Sequence, residues 1–196
     1  MPGPNVIVIG ASAGGIQALQ TIVGGFPPDF EATVFIVVHT AANDGNLATI
    51  LGRKTSLRTV KAEDGMRVTE KTIFVAPPNH HLLIHDSRLS LSLGPKVNRH
   101  RPAIDPLFES AAEAFRHQVI GVVLTGYLDD GTAGLAAVKK RGGIAVVQDP
   151  DDAEAPNMPR NALAGVDVDY CLPAAEIAAL LVGLVKGKSA PRNRRG

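Results

Sequence analysis

Short, continuous apolar runs alternate with amphipathic stretches along most of this chain. "NVIVIG" (5–10) precedes the helix-like "GGIQALQTIVGG", and "ATVFIVVH" (32–39) precedes "DGNLATILGRK". The pattern resumes later with "QVIGVVLTG" (118–126), "TAGLAAVKKRG" and "GIAVVQD" (143–149). A short helix in "MPRNALAG", a last strand in "VDYCL" and a last helix in "PAAEIAALLVGLVKG" complete it. The strand runs are continuous rather than alternating in polarity, which marks parallel strands covered on both faces. Strand–helix alternation then predicts an α/β fold, a doubly wound, mostly parallel sheet joined by right-handed crossovers.

The middle of the chain breaks this rhythm. Residues 58–93 carry "EDG", "APPNHH" and "HDSRLSL" between the short β-like pieces "TIFVAP", "HLLIH" and "LSLSL". These predict a small antiparallel hairpin excursion. "GPKVNRHRPAIDPLFESAAEAF" follows, a polar loop that turns helical from Ile104. Residues 1–186 are expected to form one domain, with 187–196 a basic, disordered tail.

Composition narrows the function classes. Hydrophobic residues make up 45% of the 196 and charged residues 20%, with a formal net charge of +1. That balance offers no global field for nucleic acid, and aromatics at 4% with no Trp make stacking platforms scarce. The single cysteine, Cys171, excludes an internal disulfide framework, fits a reducing compartment and reads as a buried small hydrophobe. No apolar span is long enough to cross a bilayer, and "MPGPNVIVIG" lacks the charged region of a signal peptide. A cytoplasmic protein is expected.

The loop after the first strand, "GASAGG", admits two chemistries. A dinucleotide fingerprint wants glycine at the position of Ser12 and an acidic residue about 20 positions on, at the end of the second strand. That strand ends in "VVHT", and no Gly-Lys-Ser/Thr follows to make a P-loop. Gly10-Ala11-Ser12-Ala13-Gly14 does fit Gly-x-Ser-x-Gly, the turn that lifts a serine off a strand end, with the N–H of Ala13 suited to an oxyanion hole. A serine needs a base and the base an orienter. His39 ends the second strand, and in a parallel sheet the strand carboxyl ends share one rim. "GVVLTGYLDDGTAGL" brings two carboxylates, Asp129 and Asp130, to the same rim. Read structurally instead, His39 is a strand-end residue and the aspartates are a helix cap.

"VIVIGASAGG", "FIVVH", "EDGMRV", "IFVAPPNHHLLI", "VNRHRPAIDPLFES", "GVVLTGYLDDGTAGL" and "NMPRNA" occur in that order. Together they resemble the catalytic domain of the CheB family, the chemotaxis protein-glutamate methylesterases, over about residues 5 to 184. The resemblance implies a doubly wound α/β fold and a cofactor-free, metal-free Ser-His-Asp triad. It implies hydrolysis of γ-glutamyl methyl esters on the cytoplasmic domain of methylated chemoreceptors, with glutamine deamidation in some members. Carried over by residue, Ser12 is the nucleophile, His39 the general base and Asp130 the triad acid. Asp129 is then a loop or capping residue. Ala13 and the Tyr127 loop are implied at the oxyanion hole.

Two departures flank that site. Tyr127 stands where methionine is usual, and Thr40-Ala41-Ala42 where larger apolar residues are common. The chain also opens directly on the first strand, with no receiver domain ahead of it, so a receiver-type regulator would act in trans. Asn98, Arg99, His100 and Arg101 in "NRHRP" form a polar cluster expected beside the site or in contact with substrate, a basic rim toward acidic receptor helices, and Met158 in "NMPR" is expected to contact substrate. His80, His81 and His85 sit on a predicted hairpin with no carboxylate or cysteine to complete a metal set, and "DPDDAE" reads as a solvated loop. Three alternatives stay open. One is a hydrolase of the same mechanism in another signalling pathway, another a non-catalytic receptor-binding module, and the third a nucleotide-binding protein. Neither nucleic acid nor membrane insertion is expected.

Overall fold

In the computed structural model, residues 5–39 and 46–188 are described. Nine strands run β1 (Val6–Ala11), β2 (Thr33–Val38), β3 (Arg58–Lys61), β4 (Thr72–Val75), β5 (His81–His85), β6 (Arg88–Ser92), β7 (Val119–Val123), β8 (Ile144–Gln148) and β9 (Tyr170–Leu172). Six α-helices accompany them: α1 (Gly15–Gly24), α2 (Leu47–Gly52), α3 (Ile104–Phe115), α4 (Thr132–Lys140), α5 (Asn157–Gly165) and α6 (Ala174–Val185).

Seven strands form one parallel sheet in the order β3-β4-β2-β1-β7-β8-β9, while β5 and β6 pair separately and antiparallel. The doubly wound reading is thereby met. β1, β2 and β7 are buried along their whole length, because helices cover both faces. One core lies between the sheet and α1, α2 and α6, around Leu19, Ile22, Leu51, Ile177 and Leu181. The other lies between the sheet and α3, α4 and α5, around Leu107, Phe108, Leu135 and Ala162.

The hairpin excursion is smaller than the sequence suggests. Thr72–Val75 is not part of it: this strand is buried throughout and pairs in parallel with β2. Arg58–Lys61, which carries no apolar run, is the edge strand beside it, held by backbone pairing to β4 with its charged ends exposed. The hairpin proper, β5–β6, puts Leu82, Ile84 and Leu89 into the second core. It is pinned to α3 by the Ile84 N–H donating to Ser110 Oγ at 3.1 Å. His81, one of the three histidines there, is buried, with Nε2 2.9 Å from the Pro95 carbonyl and Nδ1 accepting from the Ala103 N–H at 3.3 Å. Both ring nitrogens hold the chain together. The basic tail from residue 189 onward, and Thr40–Ala42, lie outside the described residues.

The chain leaves the central strand β1 toward β2 on one side and returns to β7 on the other. Such a reversal of winding opens a crevice at the strand carboxyl ends. β1, β2 and β7 all end there.

Candidate active site

Ser12 follows β1 in a turn that its neighbours hold on both sides. Its N–H donates to the Thr125 carbonyl (2.9 Å), and its carbonyl accepts from the Gly15 N–H (2.9 Å). Gly14 turns the chain into α1 with φ 73, a left-handed conformation that favours glycine. The same glycine makes room for Glu154: a Cβ on Gly14 would lie 2.7 Å from the Glu154 Cβ and 2.8 Å from Oε2. The Ala13 N–H makes no hydrogen bond among the described residues, so it is a donor available at the helix N-terminus.

His39 continues the ladder past β2, donating its backbone N–H to the Ala11 carbonyl at 3.0 Å. This bond places it one strand over from Ser12. Both line one groove of about 560 Å³, with Ala13, Gly14, Gln17 and Glu154 among its walls. "DPDDAE" is therefore more than a solvated loop, because its Glu154 enters the groove wall and its Asp152 accepts from the Ala174 N–H at the start of α6 (2.8 Å).

The His39 ring meets Asp130 through Nε2, 2.7 Å from Oδ2, with both side chains almost wholly buried. Asp130 sits in the loop between β7 and α4, whereas its neighbour Asp129 is exposed. Burial pushes the Asp130 pKa up. The His39 contact, the Ile104 N–H and the Asn98 amide outweigh burial and hold the carboxyl below its ordinary range. Oδ2 also accepts from the Ile104 N–H (2.7 Å). Oδ1 accepts from the Asn98 side-chain amide (2.8 Å) and the Asp105 N–H (3.1 Å). An ionised Asp130 in this setting fixes the His39 proton on Nε2 and leaves Nδ1 as the basic nitrogen. Nδ1 is buried and makes no hydrogen bond among the described residues, to Ser12 or to any other group.

The "NRHRP" segment divides into three jobs. Val97–His100 is a tight turn closed by reciprocal backbone bonds of 3.1 and 2.8 Å, with Asn98 (φ 49) and Arg99 (φ 69) both left-handed as in a type I′ turn. Arg99 is at the exposed tip. His100 stacks face to face on His39, ring centroids 3.6 Å apart and planes 3° from parallel. Burial, then the His39 charge, lower its pKa, while Asp130 pulls it the other way. Arg101 donates to Asn79 Oδ1 (3.1 and 2.8 Å) and to the carbonyls of Leu93 and Gly94 (2.8 and 2.7 Å). Its guanidinium is engaged in tying loops, so the expected basic rim reduces to Arg99.

Met158 is also displaced from its expected place. It has no exposed surface and belongs to the second core. The glycine between it and Ser12 explains why it matters: a Cβ on Gly126 would lie 2.7 Å from both Met158 Sδ and Ser12 Cβ. Met158 thus backs the serine from behind. Tyr127, next along, is 61% exposed on the rim, outside the groove walls. Sequence reasoning missed Thr125, Gly126 and Asp105, and it placed Asn98 in the polar cluster beside the site without its carboxylate partners. Thr125 Oγ1 ties the Ser12 loop to the β8–α5 loop by donating to the Ala13 carbonyl (2.9 Å) and accepting from the Ala155 N–H (2.8 Å). No helix of the described residues is long and apolar enough to cross a membrane.

The geometry agrees with what the chain resembles. A putative protein-glutamate methylesterase/protein-glutamine glutaminase of Leptospira interrogans is 45% identical over 182 residues, 92% of this chain and 94% of the relative. A protein-glutamate methylesterase/protein-glutamine glutaminase of Methanosarcina barkeri is 34% identical over 190 residues, which span 52% of its length. Among solved structures, the Thermotoga maritima CheB methylesterase catalytic domain superposes with a TM-score of 0.87 at 32% identity, covering 92% of this chain and 98% of that one. The family described as CheB methylesterase matches residues 7–181. The chain belongs to the CheB methylesterase family.

Proposed function

We propose that this chain hydrolyses γ-glutamyl methyl esters on the cytoplasmic domain of a methyl-accepting chemoreceptor, by acyl transfer through Ser12. The observation that carries the reading is the buried 2.7 Å His39–Asp130 pair, whose remaining imidazole nitrogen has no partner among the described residues, in the groove that Ser12 lines. A buried nitrogen left unpaired is costly to a fold. A module that only binds receptor helices has no use for it, whereas a general base needs it.

In the proposed reaction the Ser12 hydroxyl reaches His39 Nδ1 and attacks the ester carbonyl as Nδ1 takes its proton. Asp130 stabilises the resulting imidazolium across Nε2, the stacked and neutral His100 keeps the ring in plane, and the Ala13 N–H meets the oxyanion. His39 returns the proton to the departing methoxide, giving methanol. Water, deprotonated by the same nitrogen, then attacks the Ser12 ester and restores serine and a glutamate carboxylate. Amide hydrolysis of glutamine would follow the same path with ammonia leaving, in keeping with the double names of the relatives. Arg99 and Tyr127 on the rim are the groups offered to an acidic receptor helix. The site of action is cytoplasmic on this reading.

Incubation with receptor methylated at its glutamates, followed by methanol assay, tests the proposal. Wild type should release methanol and Ser12→Ala should lose the activity. Receptor binding without any release by wild type would favour the non-catalytic reading, and turnover of small esters alone would favour a hydrolase of another pathway.

A further inference from the structure

A second buried carboxylate, Asp105, lies beside the triad acid. α3 and α4 both start without a side-chain cap of their own: the residue before α3 is Ala103 and that before α4 is Gly131. Each helix is capped by an aspartate belonging to the other. Asp130, ahead of α4, accepts from the Ile104 and Asp105 N–H groups of α3 (2.7 and 3.1 Å). Asp105, in the first turn of α3, accepts at Oδ1 from the Gly131 and Gly134 N–H groups of α4 (2.9 and 2.7 Å). Two like charges are thereby drawn into one buried site by opposite helix N-termini.

One group stands between them. The Asn98 side-chain nitrogen donates to Asp105 Oδ2 at 2.7 Å and to Asp130 Oδ1 at 2.8 Å. Asn98 can do this because the turn that carries it folds back with φ 49, a conformation asparagine tolerates. Capping alone asks nothing of Asn98, since Asp105 Oδ1 already serves α4. With Oδ1 of Asp130 taken by Asn98 and the Asp105 N–H, Oδ2 is left to face Ile104 and His39.

We propose that Asn98 and Asp105 are positioning residues for catalysis: the Asn98 amide bridges the two carboxylates, and the bridge orients Asp130 toward His39. The proposal rests on the esterase reading for its kinetic part and on geometry alone for its effect on His39. The bridge sets the direction of an acceptor that touches no substrate, so its loss acts on the chemical step rather than on binding.

Two variants separate bridge from scaffold. Asn98→Gly keeps the left-handed turn and deletes the amide. Asp105→Asn keeps the side-chain shape and an oxygen for Gly131 and Gly134, but sets one NH2 against another at the 2.7 Å contact. Each variant is compared with wild type in methanol release from methylated receptor, and by NMR of histidine labelled with ¹⁵N. Both variants should lose about 10- to 100-fold in kcat, the range expected when a catalytic group is misplaced by a fraction of an ångström, with KM within about twofold. Independently of activity, the His39 Nε2–H resonance should move. Wild-type His39 signals in both variants would overturn the proposal, whether or not kcat falls. If wild type releases no methanol but the His39 signals move in both variants, the esterase reading fails and the positioning role stands.

Discussion

Gly126→Ala puts a methyl group at a crowded point behind Ser12, the proposed nucleophile. Its Cβ would sit 2.7 Å from Met158 Sδ, 2.8 Å from Met158 Cε and 2.7 Å from Ser12 Cβ, where ordinary contact begins at 3.4 Å. About 0.7 Å must therefore open on each side. On the Met158 side the thioether end can shift, since methionine is unbranched and adaptable. On the Ser12 side there is no such slack. Ser12 is held through both its N–H and its carbonyl, and Gly126 is itself tied, donating to Ala155 O and accepting from the Met158 N–H at 2.9 Å each. The strain therefore falls on Ser12. Overpacking of this size costs about 1–3 kcal/mol of stability, and displacing a reacting group by most of an ångström costs up to about 100-fold in rate. Urea denaturation should show the first effect, and initial rates of methanol release should show a fall of about 10- to 100-fold in kcat. Adding Met158→Ala should recover part of the stability and little of the rate, because the clash with Ser12 remains. A Gly126→Ala enzyme within about twofold of wild-type kcat would refute the reasoning, as would full recovery of kcat by Met158→Ala.

His100→Ala should lower kcat by up to about tenfold, the equivalent of a stacked ring pair worth about 0.5–1.5 kcal/mol. His100→Phe, which keeps a ring on His39, should restore most of it; equal losses in the two variants would refute the stacking role. Arg101→Ala should lower stability by about 1–3 kcal/mol with little change in KM. Arg99→Ala should do the reverse, raising KM for receptor and leaving the urea midpoint in place; KM effects of equal size in both would restore Arg101 to the substrate rim. The buried aspartates should mark stability against pH with opposite signs. Burial and the Asp130 charge push the Asp105 pKa up to about 6, although the N–H groups and the Asn98 amide oppose them. The native state therefore holds this proton longer than the unfolded chain, and Asp105 makes stability fall as pH rises from about 4 to about 6. Asp130, whose pKa is lowered, supplies stability above the ordinary carboxylate range that is lost on acidification. Urea midpoints against pH should lose the fall between about 4 and 6 in Asp105→Asn; an unchanged slope would contradict the assignment.

The fold was legible where one physical cause acts alone. The strands β1, β2, β7 and β8 read as parallel because burial on both faces demands continuous apolar residues. β3 did not, since Arg58–Lys61 is an edge strand held by backbone pairing with little side-chain burial. Thr72–Val75 was grouped with the hairpin because a short apolar run carries no record of its partner, and contacts from the rest of the sheet decided it. The meeting of Ser12, His39 and Asp130 at one rim was legible in part, since strand carboxyl ends share a rim in any parallel sheet. Composition left Asp129 and Asp130 open; the family resemblance favoured Asp130, which is the buried one. Asp105, and the carboxylate partners of Asn98, were beyond reach because those contacts join different elements. The one signal for Asp105 was an acid in the first turn of a helix opening on Ala103, a poor cap. The separate fates of Arg99, His100 and Arg101 depend on a turn whose two central residues are both left-handed, which the run of polar residues does not announce.

The central claim is that Ser12 forms a covalent bond with the acyl group of the substrate. A receptor peptide carrying a glutamate γ-methyl ester, mixed with excess enzyme and quenched in acid within the first turnover, tests it by mass spectrometry of the digested protein. The account predicts an adduct on the peptide containing Ser12, of mass equal to the substrate less methanol, appearing with the methanol burst and absent in Ser12→Ala. Methanol release with no adduct on Ser12, continuing at the wild-type rate in Ser12→Ala, would contradict it.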